Sequence, residues 1–409
     1  MHGPGLANST PTGRRWGDIR YPSQVIGKDP RQVLIFAAIL AIFVYGMIAA
    51  MLGTILPDLS ARFHLTPTQN GTIAFAQALG LMIASLAVGP LLDTQGDKIG
   101  LILGLIAIAV ALFALPKSRG YGSIVFLLFL LGVGGGIVVT GANALSSAAS
   151  PEHRATALNL VNLFFGLGGL ATPFISANLF KQNWPRLCYT VASVTVLTLV
   201  IQAVTPMPAP SGSAAFLLAG VGPILGRPLL LLSGLFLFLY VGCEVGVWNW
   251  LPRHLIAQGI PESKALNILS LGFALGLLVG RVAVSPILIH VPAATVTLAS
   301  SIAMAVTTFL MLRTNKPVAA AVLVFLAGLA MAPVFPTTLA IVGSAFPQMT
   351  GTAIGFAITC GWAGLAVSSR IIGAIAGPDP QRLKKALLLI PGSAVLMIVL
   401  NLAMQASLK

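Results

Sequence analysis

One carboxylate, Glu244, stands in the middle of a long apolar run, Leu239-Tyr-Val-Gly-Cys-Glu-Val-Gly-Val-Trp-Asn-Trp-Leu-Pro252. A charge in such a setting is costly, so it must face a polar cavity with a partner or be protonated. It can accept bonds from a hydroxyl-rich molecule or carry a proton, and a structural bond between helices is the competing use. Tyr240 and Trp248 lie at i−4 and i+4 of it, on one helical face. Aromatic faces beside a carboxylate suit a sugar's apolar and hydroxyl surfaces, although the same spacing also serves packing. Asn143 follows Thr140 by three residues and Asn162 follows Asn159 by three, so each pair shares a face. An amide donates and accepts at once, which matches a polyhydroxylated ligand. Gln77, Asn249, Asn267, Thr359 and Trp362 extend the candidate lining, with interhelical polar bonding as the alternative role for each. Arg281 and Arg370 also fall inside apolar stretches, where an arginine either snorkels to the interface or meets an anion.

No Walker loop, catalytic triad or metal-ligand cluster is visible. Cys188, Cys243 and Cys360 are scattered, without metal-ligand spacing or a disulfide framework. The expectation is a protein that is not an enzyme and needs no cofactor and no metal.

The elements that position these residues follow from composition. Of 409 residues only 8% are charged and 57% are apolar, with a mean hydropathy of +0.95. A soluble domain carries roughly 25% charged residues, so a soluble globule of this size could not cover its surface. Repeated apolar runs of about 20 residues fit helices crossing a bilayer, whereas a membrane barrel would show short alternating segments. Twelve spans are expected near 33–56, 69–92, 99–116, 123–146, 155–180, 187–206, 228–251, 265–289, 292–312, 317–343, 351–376 and 384–405. The expected organisation is a tail at 1–31, a six-helix bundle at 32–206, a Pro/Gly/Ser-rich joint at 207–227 and a second bundle at 228–409.

The net charge of +14 would suggest nucleic acid in a soluble protein. Here the basic residues sit mostly in short loops and the tail, where they act as topology signals, and no nucleic-acid partner is expected. Arg14, Arg15, Arg20, Lys28 and Arg31 precede the first span, which argues for cytoplasmic termini in a plasma (inner) membrane. The first helix serves as the insertion signal, and no cleavable signal peptide is expected.

The two halves repeat. A shift of 196 residues lays 78–92 on 274–288 with eight identities in fifteen positions, and Thr156-Ala157 on Thr352-Ala353. Span 2 thus repeats as span 8, and span 5 as span 11. Parallel repeats of this kind build transporters whose substrate site lies between the halves.

The turn after span 2 reads Gly89-Pro-Leu-Leu-Asp93-Thr-Gln-Gly96-Asp97-Lys98. It resembles the loop 2–3 signature of the major facilitator superfamily, with Thr94 and Asp97 where that signature has basic residues. Within that superfamily the chain resembles the fucose–galactose–glucose:proton symporters. The stretches are Gly134-Gly-Gly-Ile-Val-Val-Thr140-Gly-Ala-Asn143, Arg154-Ala-Thr-Ala-Leu-Asn159-Leu-Val-Asn162, the run around Glu244, and Pro333-Val-Phe-Pro336-Thr337. The resemblance implies an all-α membrane protein of two pseudo-symmetric six-helix bundles, with Gly89, Asp93, Gly96 and Arg281 as gating candidates. Proton symporters of that family carry an Asp in span 1 and a Glu before the Thr-x-Ala-Asn of span 4. Gly53 and Val139 occupy those places here.

The expected function is therefore alternating-access transport of a small polar solute, a neutral hexose or deoxyhexose first, by a monomer in the lipid bilayer. Glu244 is the one central carboxylate available to couple protons. An organic-anion transporter using Arg281 and Arg370, a drug exporter and a non-transporting receptor are the other readings.

Overall fold

The structure is a computed structural model that describes residues 29–181, 183–209, 221–376 and 380–408. The tail arginines Arg14, Arg15 and Arg20, Lys28 and most of the 207–227 joint lie outside the described residues.

Twelve helices are long and apolar enough to cross a membrane. We number them α1 (Pro30–Phe63), α2 (Thr68–Gln95), α3 (Asp97–Lys117), α4 (Tyr121–Ala149), α5 (Arg154–Asn178) and α6 (Trp184–Val204), then α7 (Pro228–Ala257), α8 (Glu262–His290), α9 (Ala293–Met311), α10 (Pro317–Ala345), α11 (Thr350–Ala376) and α12 (Arg382–Ser407). Each predicted span is found, and several helices extend past their apolar run. In α1, for example, helix continues through Pro57-Asp-Leu-Ser to Phe63, where His64 closes it in a left-handed conformation. Hydropathy marks the lipid-crossing length, whereas helix ends depend on caps. Asp29 caps α1 by accepting from Arg31 N at 3.0 Å, and Thr66 with Gln69 forms a capping box ahead of α2.

Two helices are irregular. Residues Ile268–Ala274 of α8 are π-helical, and α10 breaks at Ala332–Pro333 before resuming at Val334. Pro333 has no N–H to continue the ladder, which accounts for the second break.

Helices α1–α6 form one bundle and α7–α12 the other. The 196-residue repeat is visible in their packing. A Cβ on Gly80 would run into the Phe129 carbonyl, and one on Gly276 into the carbonyl of Phe325, the repeat partner of Phe129. Likewise Gly132 lies on the Gln77 carbonyl and Gly328 on that of Phe273. Each pair differs by 196, so α2 meets α4 as α8 meets α10. Without hydrophobic drive between helices in lipid, such small-residue approaches supply the packing.

Helix directions place the Asp93–Lys98 turn at one end of the molecule, called face A here, with the α1–α2 and α7–α8 connections at the opposite face B. Helices α2, α4 and α5 meet α8, α10 and α11 across the bundle interface. Among the described residues, the inter-bundle hydrogen bonds lie between face A and the centre. Arg154 reaches Ser344 Oγ at 2.8 Å, Thr156 Oγ1 donates to Ser285 O at 3.0 Å, and Asn159 Nδ2 donates to Thr337 Oγ1 at 2.9 Å. On the face B half, Gly53 and Pro57 are exposed, and a recess bounded by Gly53, Leu56, Pro57, Ser60 and Asn70 opens beside α1.

Candidate functional site

Glu244 is half-buried near the middle of α7. The Tyr240 hydroxyl stands beside its carboxylate and within electrostatic reach of Arg281, while donating to Met331 O of α10 at 2.9 Å. From the other bundle, Tyr45 of α1 brings a second hydroxyl into the electrostatic field of Glu244. Arg281, the cation that also lies within electrostatic reach of Tyr240, is bonded to the Asn162 main-chain carbonyl. Tyr45 stacks on Phe165 (centroids 5.3 Å apart) and meets Trp362 edge-on at 6.5 Å. The Trp362 indole N–H is buried without a partner. Two bundles thus meet around one carboxylate, two phenols and a free indole donor.

Toward face A the centre ends in an amide network. Asn162 Nδ2 donates to Asn143 Oδ1 at 2.7 Å and to Leu158 O at 2.9 Å, and Asn143 Nδ2 donates to Val139 O at 2.7 Å. Asn143 is fully buried and Asn162 nearly so, at 4% exposure. Arg281 of α8 donates from its guanidinium to the main-chain carbonyl of Asn162. It is 5% exposed, and its Nε has no partner. Thr140 Oγ1 is likewise buried and unpartnered.

The sequence candidates divide accordingly. Glu244, Tyr240, Asn143, Asn162 and Arg281 come together at or just below the centre, joined by Tyr45, which carried no sequence signal: it is a lone tyrosine in an apolar run. Arg281 does not snorkel; it reaches inward and crosses to α5. Thr359 donates to Gly355 O at 2.8 Å and to Met82 O of α2 at 3.4 Å, so it bridges the bundles beside Trp362. Asn159 and Asn162 share a helix face yet serve different neighbours, Thr337 and Asn143. Gln77 is half-buried on α2. Trp248 is 37% exposed and packs edge-on to Phe273 at 5.3 Å. Asn249, Asn267 and Arg370 are exposed, toward the face B halves of their helices.

Three of the gating candidates, Gly89, Asp93 and Gly96, lie at face A, whereas Arg281 belongs to the central group. Asp93 accepts from Gly351 N and Thr352 N, both at 2.8 Å, and from Thr352 Oγ1 at 2.6 Å. It therefore caps the first turn of α11 from the opposite bundle, taking up N–H groups that the helix itself leaves free. Gly89, one turn earlier, lets the backbones meet: a Cβ there would lie 2.5 Å from Thr352 Cα. Its repeat partner Ser285 accepts from Thr156, the repeat partner of Thr352, so the contact recurs with different chemistry. Gly96 turns the chain at φ 89°, a left-handed conformation that glycine adopts freely.

A separate crevice between α7, α11 and α12, about 150 Å³ in volume, is lined by Phe238, Gly242, Cys243, Val367, Ile371 and Ile390 among others. It is mainly apolar and holds none of the central polar groups. Among the described residues no three His, Cys, Asp or Glu side chains gather as a metal site.

Comparisons with known proteins agree with this architecture. The "Glucose/galactose transporter" of Brucella abortus is 28% identical over 263 residues, covering 59% of this chain and 63% of that protein. The match thus spans less than two thirds of that relative's length. The "Glucose/mannose transporter GlcP" of Bacillus subtilis is 25% identical over 349 residues, covering 81% of this chain and 85% of the relative. The "3-(3-hydroxy-phenyl)propionate transporter" of Escherichia coli is 31% identical over 235 residues, covering 54% and 57%. A solved structure of FucP in the outward conformation matches with a TM-score of 0.81 at 17% identity, over 92% of this chain and 99% of that one. A second FucP structure, of the E. coli fucose:proton symporter, matches equally well. At that identity the likeness concerns the fold. The family profile described as "Major Facilitator Superfamily" matches residues 38–369, and the chain belongs to that superfamily.

Proposed function

We propose that the protein is a transporter carrying a neutral monosaccharide, a hexose or deoxyhexose, by alternating access between its bundles. The observation that carries this reading is Glu244: a half-buried carboxylate at the bundle interface, flanked by the Tyr240 and Tyr45 hydroxyls. An ionised carboxylate is a strong acceptor for vicinal hydroxyls, and the unpartnered Trp362 N–H and Arg281 Nε are donors. One negative and one positive group at the centre sum to zero, which suits a neutral solute. Sugar transporters among the relatives support the same class.

The bundles correspond to 32–206 and 228–409, working as a monomer in the plasma membrane with face A and both termini cytoplasmic. The tail arginines and the resemblance of the Gly89–Lys98 turn to a cytoplasmic signature support this orientation. With Gly53 and Val139 where relatives of the symporter type carry acids, the protein is either a uniporter or a symporter whose carrier is Glu244.

A second reading has one specific observation behind it. Arg281 keeps an unpartnered Nε near the centre, and the E. coli relative is named for an aromatic acid. An organic anion would then bind at Arg281. A thermal-shift panel of hexoses, sugar acids and aromatic acids separates the two. Stabilisation by hexoses, lost in Glu244→Gln, supports the first reading; stabilisation by acids alone replaces it with the second.

A further inference from the structure

The centre holds a cation and an anion that are not paired with each other. Arg281 and Glu244 belong to the same bundle, and Tyr240 lies within electrostatic reach of both. The guanidinium is instead bonded to the Asn162 carbonyl in the opposite bundle. This is an unusual acceptor, since a mid-helix carbonyl already serves its own helix. It is nevertheless well anchored, because the Asn162 side chain is tied to Asn143 and Leu158. At the repeat-equivalent position of the first bundle stands Ser85, which donates to Gly136 O at 3.4 Å within its own bundle. Only the second bundle sends a charge across the interface from this site.

Opening face A requires α5 and α8 to part, because Thr156–Ser285 and Arg281–Asn162 both join them. Arg281 then loses its acceptor while still deep in the protein. An unpaired buried guanidinium is strongly unfavourable, and Glu244 is the carboxylate in its own bundle that shares a neighbour with it. We propose that Arg281 exchanges partners during the cycle. With face A closed it holds the Asn162 carbonyl and leaves Glu244 free to accept from solute. With face A open it pairs with Glu244, removes that acceptor, and so lowers solute affinity on the face A side.

The proposal rests on solute binding at Glu244 in the reading above, and it adds a consequence of its own: affinity depends on the side from which the site is reached. Two experiments test it. In proteoliposomes of uniform orientation, the KM for glucose at face A should exceed that at face B by about tenfold, the weight of a hydrogen bond to a charged acceptor. Arg281→Gln should bring the two values within about threefold of each other, since Glu244 then stays available in both states. An Arg281→Gln ratio equal to that of the wild type would overturn the proposal. Arg281→Lys, which retains the charge, should preserve most of the asymmetry.

The second experiment needs no solute, so it stands even if glucose is not carried. Thr337 is fully buried in the face A half of the interface. A Thr337→Cys reporter, in a background with Cys188, Cys243 and Cys360 replaced by serine, reports opening through its labelling by an impermeant maleimide from face A. Glu244→Met removes the second partner of Arg281 and should slow that labelling about tenfold. Labelling unchanged or faster in Glu244→Met would show that Arg281 does not turn to Glu244. If glucose is not carried but Glu244→Met slows labelling, the sugar reading fails and the partner exchange survives.

Discussion

Asn143 and Asn162 answer each other's hydrogen-bonding needs, and this changes what their substitution should do. Asn162→Ala leaves Asn143 Oδ1 buried without a donor and removes a bond to Leu158 O, at a cost of about 2 kcal/mol. Thermal unfolding of the detergent-solubilised protein should therefore move down together with hexose affinity. The Tyr240 hydroxyl beside Glu244 keeps Met331 O as an acceptor, and Gln is nearly isosteric with Glu, so Glu244→Gln should weaken hexose binding while the unliganded melting temperature stays within about a degree of wild type. Equal destabilisation by both changes would mean that Glu244 is a structural group. Sequence showed which of these residues are polar and central, because each interrupts an apolar run. It did not show that Asn143 and Asn162 bond across two helices, nor that Asn159 turns instead to Thr337, because partner choice depends on helix rotation. Tyr45 illustrates the same limit: a phenol in an apolar run looks like packing until its neighbour across the interface is known.

Among the elements, the N-terminus of α11 and the end of α2 meet across the bundle interface at face A. Asp93 accepts three bonds from the first turn of α11. Their loss in Asp93→Ala should weaken the closed state by roughly 3 kcal/mol, shifting the balance toward an open face A by about a hundredfold. Labelling of Thr337→Cys from face A measures this, and an unchanged rate would remove Asp93 from the closure. Gly89→Leu should act in the same direction by a different route, because its side chain would meet the backbone at Thr352 and hold α2 off α11. The turn sequence offered Asp93 and Gly89 as gating candidates, and the repeat matched α2 with α8 and α5 with α11. What sequence could not supply was the asymmetry of the contact. Asp93 aligns with Ile289, so one bundle has a charged cap where the other has an apolar side chain, and only coordinates show what each touches.

At the scale of the whole molecule, twelve helices and the 196-residue repeat were legible because lipid imposes length and internal hydrogen bonding on every span. The helix ends, the π-helical segment of α8 and the rotation that points Arg281 into the interface were not, since they depend on packing that hydropathy does not encode. The energetics follow from the same central group. A transporter can accumulate its solute only if a second binding event favours one of its states, and Glu244 is the central carboxylate that could respond to protons. If the protein is a symporter, Glu244→Gln should abolish accumulation driven by a pH gradient. If it is a uniporter, the wild type should equilibrate hexose and never concentrate it, whatever the gradient.

The central claim is that a neutral hexose crosses the membrane by way of the site at Glu244. The direct measurement is counterflow of radiolabelled glucose into proteoliposomes preloaded with unlabelled glucose, with no ion gradient, for wild type and Glu244→Gln. The account predicts a transient overshoot of label for the wild type and its loss, or a reduction of at least about tenfold, in Glu244→Gln. No overshoot with wild type for glucose, galactose, mannose or fucose, or an overshoot equally large in Glu244→Gln, would contradict it.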